Sequence, residues 1–190
     1  MWRERSKPVT AFVALLRAVN VGGNNLIRMA DLKVLCEDLG FGDVKTLLQS
    51  GNVVFKAKGT AKSIAKKLAD AIEKSHGFRP AIIVRTADEI ADVMKRNPFK
   101  AEEKSDPAHL VVAFTADPPT NGAKERIAAV KVATERLHLS GRELHAHYAS
   151  GQGTSKVTNA VLERALGVPC KARNWNTVTK LLKLAREMEG

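Results

Sequence analysis

Hydrophobic positions along this chain recur at two spacings, and each change of spacing marks an element. FVALLRAV, within residues 9–19, is apolar at nearly every position and predicts a buried strand. Over residues 29–39, Leu32, Leu35, Cys36 and Leu39 recur at helical spacing and Gly40 follows as a stop, which predicts a helix. VKTLLQ and NVVF then read as two short strands of a hairpin turning at Ser50-Gly51. Residues 60–76 predict a basic helix and AIIVR, 81–85, another strand. Thr86 to Glu89 has the T-x-x-E spacing of a capping box, opening a helix that runs to Arg96.

The second half repeats that order. HLVVAFT (109–115) predicts a strand, and residues 121–132 a helix with Ile127 and Val130 inward. TERLHL and RELHAHY predict a hairpin around Ser140-Gly141. A helix at 155–166, a short strand PCKA and a last helix at 175–188 follow, the last with Val178, Leu181, Leu182, Ala185 and Met188 in register. Details repeat as well: Ser-Gly at both hairpins, G-T-A-K and G-T-S-K before the next helices, and an arginine (Arg85, Arg173) before each last helix, all about ninety residues apart. The expectation is an α+β chain of two tandem ferredoxin-like subdomains, each βαββαβ plus a trailing helix, related by an internal duplication. The first spans 1–96 and the second 108–190. NPFKAEEKSDP, 97–107, with two prolines and no periodicity, reads as the linker.

Composition adjusts this picture little. The 190 residues, 44% hydrophobic, suffice for an ordinary core without disulfide or metal support. The formal charge of +11 makes a polyanionic partner plausible, and most of the excess falls in the first hundred residues. Cys36 and Cys170 are far apart and lack C-x-x-C spacing, so neither a disulfide framework nor a zinc site is expected, and Cys36 reads as a buried structural thiol. MWRERSKPVTAFVALLR has the outline of a signal peptide, but Arg17 stops its apolar run and no small-residue cleavage site follows. No segment is long enough to span a membrane, and a reducing, cytoplasmic location is expected.

Candidate chemistry concentrates at one edge of the first subdomain. In a ferredoxin-like sheet the first strand is central and antiparallel to the third, which brings Arg17 and Asn20 beside Asn52. A two-residue turn at Ser50-Gly51 would set Gln49 opposite Asn52, so Arg17, Asn20, Gly22, Gly23, Gln49, Ser50 and Asn52 should gather. The glycines stand several residues ahead of the helix, and neither G-x-G-x-x-G nor a P-loop pattern is present, which excludes a standard nucleotide loop. Two readings stay open: an anion held by glycine N–H groups and Arg17, or a turn whose asparagines cap local backbone.

The segments LLRAVNVGGNN followed by MADL, QSGNVVF, SKVTNAVLERALGVP and RNWNTVTKL resemble signature segments of a bacterial family, the domain of unknown function 1697. The resemblance covers nearly the whole chain. It implies a cytoplasmic bacterial protein of two related α/β subdomains and no established activity. It singles out Arg17, Asn20, Gly22, Gly23, Gln49, Ser50, Gly51, Asn52, Lys156, Asn159, Arg173, Asn174, Trp175 and Asn176. This chain departs from it at Ala18, where glycine is expected, and at Arg28, where proline is usual before the Met.

Those motif residues include no carboxylate or histidine, and Ser50 has no base beside it in the motif, so binding is expected rather than catalysis, with no cofactor. His138, His145 and His147 share one face of the second hairpin, with His138 expected opposite Glu143 and Arg136 opposite His145. Arg136 disfavours a metal there. The lysine-rich helix, with Lys56 and Lys58 before it, offers a basic face over 56–74 for nucleic acid. Against that stands the lack of aromatics: NVVFKA supplies Phe55 alone, on the face expected to be core with Leu48 and Val53. Asn174 reads as the cap of the last helix, and Trp175 either stacks on a ligand or packs between subdomains. The leading expectation is a small anionic ligand at the Arg17–Asn52 edge. A nucleic-acid module or an enzyme of unknown reaction is the alternative.

Overall fold

The computed structural model describes residues 9–190, so the basic head of the signal-like segment lies outside the described residues. The chain is α+β, with two four-stranded antiparallel sheets and, among the described residues, seven α-helices. It divides into two compact units, Met1–Asp88 with Lys183–Gly190, and Glu89–Leu182.

In the first unit β1 (Val9–Leu16), α1 (Met29–Asp38), β2 (Gly42–Leu47), β3 (Asn52–Lys58), α2 (Ala61–His76) and β4 (Ile82–Thr86) follow one another, and the strands lie in the order β2-β3-β1-β4. β1 runs antiparallel to β3, with Leu15 beside Asn52. Phe12, Ala14, Leu16, Val53 and Phe55 pack on Leu32 and Cys36 of α1 and on Ile64, Leu68 and Ile72 of α2. Val13, Leu15, Val54 and Ile83, pointing the other way, are buried too. A strand buried on both faces has no polar alternation, which is why β1 reads as a continuous apolar run. Burial pushes the Cys36 thiol up to about 12, leaving it an inert core group. Thr60 caps α2 through a reciprocal box with Ser63, and Gly77, at φ 74°, ends it.

The second unit begins within α3 (Ala87–Lys95) and continues through α4 (Lys100–Ser105), β5 (Leu110–Thr115), α5 (Ala123–Ala128), β6 (Glu135–Ser140), β7 (Glu143–Tyr148), α6 (Asn159–Leu166) and β8 (Cys170–Asn174). Its strand order is β6-β7-β5-β8. The last helix, α7 (Trp175–Glu189), contributes residues up to Leu182 to this unit and the rest to the first. The stretch read as a linker lies inside the second unit, and residues 100–105 of it are helical.

That stretch also changes the reading of the histidine face. The register pairs His138 with His145, Arg136 with His147, and Ser140 with Glu143, so the turn is Gly141-Arg142 and the expected pairing is displaced by two residues. Leu144, Ala146 and Tyr148 face the core as expected. On the opposite face His145 and His147 are buried, because α3 and α4 cover it. His145 Nε2 donates to the Val93 carbonyl at 3.1 Å, and His147 Nε2 meets Asp106 Oδ2 at 2.9 Å. Arg136 pairs with Glu102 and lies over the Phe99 ring. Among the described residues no group of three His, Cys, Asp or Glu side chains is placed to hold a metal ion.

Burial lowers the pKa of His145, partly offset by its Val93 bond. A histidine held neutral binds fewer protons folded than unfolded, so stability is full above the unfolded value of about 6.5 and falls as pH drops through it. Denaturation in urea between pH 7.5 and 5 should show this loss, at no more than about 1.4 kcal/mol per pH unit for one proton. His145→Gln, whose amide can still donate to Val93, should flatten that window; an equal decline in both proteins would assign the proton elsewhere.

Candidate functional site

The loop that follows β1 is shaped by residues in the left-handed region. Ala18, Asn20 and Asn25 lie at φ 55°, 54° and 52°, with Gly22 and Gly23 at 59° and 77°. Asparagine tolerates this conformation because its amide bonds to nearby backbone, and Asn20 does so fully. Its Nδ2 donates to the carbonyls of Ile27 (2.9 Å) and Gln49 (2.8 Å), and its Oδ1 accepts from Ile27 N–H (2.9 Å). Asn25 Nδ2 holds the Ala18 carbonyl at 3.0 Å. The left-handed backbone at Ala18 accounts for the glycine expected there: the position asks for backbone freedom.

The β2–β3 connection is longer than expected. Leu47 pairs with Asn52, so Leu48 to Gly51 form a four-residue turn in place of the two-residue one, and Gln49 is not opposite Asn52. Leu48 at φ 62° and Gly51 at 79° carry the reversal. A Cβ on Gly51 would come within 3.0 Å of Leu16 Cβ, so the turn lies flat against the end of β1, where Leu16 N–H donates to the Gly51 carbonyl at 2.9 Å. Leu48, expected in the core, is exposed. Asn52 is wholly buried, and its Nδ2 donates to the Leu47 carbonyl (2.6 Å) and to Ser50 Oγ (3.3 Å).

Arg17, Asn20, Gln49, Ser50 and Asn52 therefore do meet at one sheet end, with the glycine loop extending from it. Their roles differ from the simplest expectation. Asn20 and Asn52 turn inward as staples, while Gln49 lends its carbonyl to Asn20 and exposes its side chain. Gly22 and Gly23 stand in the open, with nothing within 4 Å of where a Cβ would be. Neither amide donates a hydrogen bond among the described residues. Arg17 is half-buried at the base of the loop, its N–H bonded to the Ala81 carbonyl at 2.9 Å.

Lys156, Arg173, Asn174 and Trp175 belong to the second unit. Asn174 Oδ1 accepts from Thr177 N–H at 2.9 Å, the capping bond its position predicts. Trp175 is buried. Arg173 is buried as well, donates to the Ala172 carbonyl at 2.9 Å, and has its pKa pulled down to about 10 by desolvation. Lys156 stands exposed at a cleft of about 420 Å³ that sequence reasoning missed, since its other walls come from 131–134 and 150–155. Glu135 organises that cleft: its carboxylate accepts from Ser155 Oγ and from the N–H groups of Ala133 (2.7 Å) and Thr134 (3.1 Å), which hold its pKa down at about 2.

The basic face is partly neutralised. Lys56 pairs with Asp43 (2.9 Å), Lys66 with Asp70 (2.7 Å), and Lys67 donates to the Leu39 carbonyl (2.7 Å). Lys56, Lys58 and Lys67 nonetheless line a cleft of about 540 Å³ with Val9, Leu39 and Phe41. Phe55 is fully buried and stacked on Phe41, ring centroids 4.4 Å apart.

Two antiparallel four-stranded sheets, with a loop stapled by Asn20 at the end of the first strand and bearing Gly22 and Gly23, define a two-unit α+β protein. The chain belongs to the family described as "Protein of unknown function (DUF1697)", whose model matches residues 9–145. It is similar to the solved structure of the conserved bacterial protein SP0830 from Streptococcus pneumoniae, at 23% sequence identity and a TM-score of 0.69, over 94% of this chain and 99% of that one. That likeness concerns the fold. No curated protein matches the chain. Among the described residues no helix is long and apolar enough to cross a membrane.

Proposed function

We propose that the protein is a cytoplasmic, non-enzymatic binder of a small anionic ligand, a nucleotide or phosphorylated metabolite, held at the loop formed by residues 17–26. One observation carries this reading: Gly22 and Gly23 are consecutive exposed residues of positive φ whose amides donate to nothing among the described residues, on a loop pinned at both ends by Asn20. Gly22 and Gly23 are the central residues of a turn closed by Asn24 N–H to the Val21 carbonyl at 3.1 Å. Successive N–H groups of a turn form a concavity that attracts anions, and pinning in advance lowers the ordering cost of binding. Arg17 adds positive charge at the base, and Gln49, whose carbonyl Asn20 holds, presents an exposed side chain for orientation.

Thermal unfolding with nucleotides, sugar phosphates, phosphate and short RNA tests it. A bound ligand at about a hundred times its dissociation constant adds roughly 2.7 kcal/mol, a rise of several degrees. The rise should appear with a small anion and vanish in Arg17→Ala. A salt-sensitive rise with RNA alone would instead support nucleic-acid binding, which the lysine-lined cleft at Lys56, Lys58 and Lys67 favours as the second reading.

The architecture proposed alongside is two ferredoxin-like subdomains from a duplicated ancestor. Both sheets place their four strands in the same relative order, which supports it. So does the match between two buried arginines: Arg85 beside Val13 and Arg173 beside Val112 each donate to the preceding carbonyl.

A further inference from the structure

The cleft in the second unit has a composition that selects a ligand. It lies between the segment leading into β6 and the segment after β7, and its walls carry Lys131, Thr134, Glu135, Ser150, Thr154 and Lys156. Neither lysine is in an ion pair among the described residues, so two lysines and one carboxylate line the cleft. That carboxylate is structural: Ser155 and the backbone amides of Ala133, Thr134 and Glu135 itself occupy its roughly four acceptor positions and tie the two walls together. Thr134 Oγ1 lies 3.4 Å from Ser150 Oγ across the gap. The shape is thus fixed before any ligand arrives.

The charges are also separated by type. A bare anion deep in the cleft would meet the ionised Glu135, so an anionic group belongs at the lysines, where its field is attractive. The interior offers hydroxyls and the apolar surface of Val132, which is exposed although large and hydrophobic. Hydroxyl groups recognise the hydroxyls of a polyol, and an apolar wall suits its C–H face. No lining residue is aromatic, so a nucleobase has nothing to stack on. About 420 Å³ falls in the small-molecule range and far exceeds what a lone phosphate ion fills.

We propose that this cleft binds a sugar phosphate, its phosphate held by Lys131 and Lys156 and its hydroxyls by Thr134, Ser150 and Thr154. The site is separate from the glycine loop, and its test separates the two. Isothermal titration of the full chain with ribose 5-phosphate and glucose 6-phosphate is compared with ribose, glucose and inorganic phosphate. At least one sugar phosphate should bind about tenfold or more tighter than its free sugar and than phosphate. Lys131→Ala/Lys156→Ala should weaken that binding about tenfold or more with the melting temperature unchanged, both side chains being exposed. These titrations are run on the Arg17→Ala chain, in which the glycine-loop site is disabled, so that the binding they record belongs to the cleft. Absence of binding at millimolar sugar phosphate, equal binding of inorganic phosphate, or survival of the affinity in the double lysine variant would each overturn the assignment.

Discussion

Replacing Asn20 by alanine is expected to destabilise the protein by about 3–4 kcal/mol and to abolish anion binding at the glycine loop. Three hydrogen bonds are lost, two donated by Nδ2 and one accepted by Oδ1. At about 0.5–1.5 kcal/mol each they account for the effect. The Cβ crowding at φ 54° is common to asparagine and alanine and adds nothing to this loss; glycine alone is relieved of it, by roughly 1–2 kcal/mol. Asn20→Gly separates the two contributions, because glycine takes that backbone without strain yet makes none of the bonds. Equilibrium denaturation should therefore rank wild type above Asn20→Gly and Asn20→Gly above Asn20→Ala. If both variants unfold within about 0.5 kcal/mol of wild type, Asn20 is an ordinary surface residue and the stapled loop is wrong.

Phe55→Ala should cost about 3–5 kcal/mol, the usual penalty for emptying a buried aromatic site. Phe55 is fully buried, stacks on Phe41 with the rings 9° from parallel, and lies 6.3 Å from Phe12 between ring centroids. This variant also bears on the nucleic-acid reading. A base-stacking platform would lose affinity on truncation and keep its stability, whereas a core residue does the reverse. Urea denaturation that moves by less than about 1 kcal/mol would contradict the core assignment.

Much of this fold was legible because the strongest patterns report burial directly, on one face for α2 and on both faces for β1. α2 shows its apolar stripe at Ile64, Leu68 and Ile72, and β1 its unbroken apolar run. The misses share a cause: local pattern reveals which face of an element is polar, but not what covers it. His145 and His147 alternate properly with Leu144 and Ala146, yet their polar face is closed by α3 and by the charged 97–107 stretch, whose Glu102 and Asp106 supply partners for Arg136 and His147. Hairpin length failed for a related reason. Ser50-Gly51 has turn composition, but Asn52 spends its amide on the Leu47 carbonyl, which fixes a four-residue turn and places Leu48 outside. The clustering of the candidate residues was readable from topology. That the asparagines face inward while the glycines face outward depends on hydrogen bonds that no motif records.

The most direct test of the loop is a titration of the uniformly nitrogen-15-labelled chain with inorganic phosphate, following the backbone amides of Gly22 and Gly23 by nuclear magnetic resonance. If these N–H groups hold the anion, their two resonances move downfield together and saturate, and Arg17→Ala weakens the response. If they stay fixed while phosphate reaches high millimolar concentration, or if only resonances far from residues 17–26 move, the loop is a structural turn and the proposed anion site does not exist.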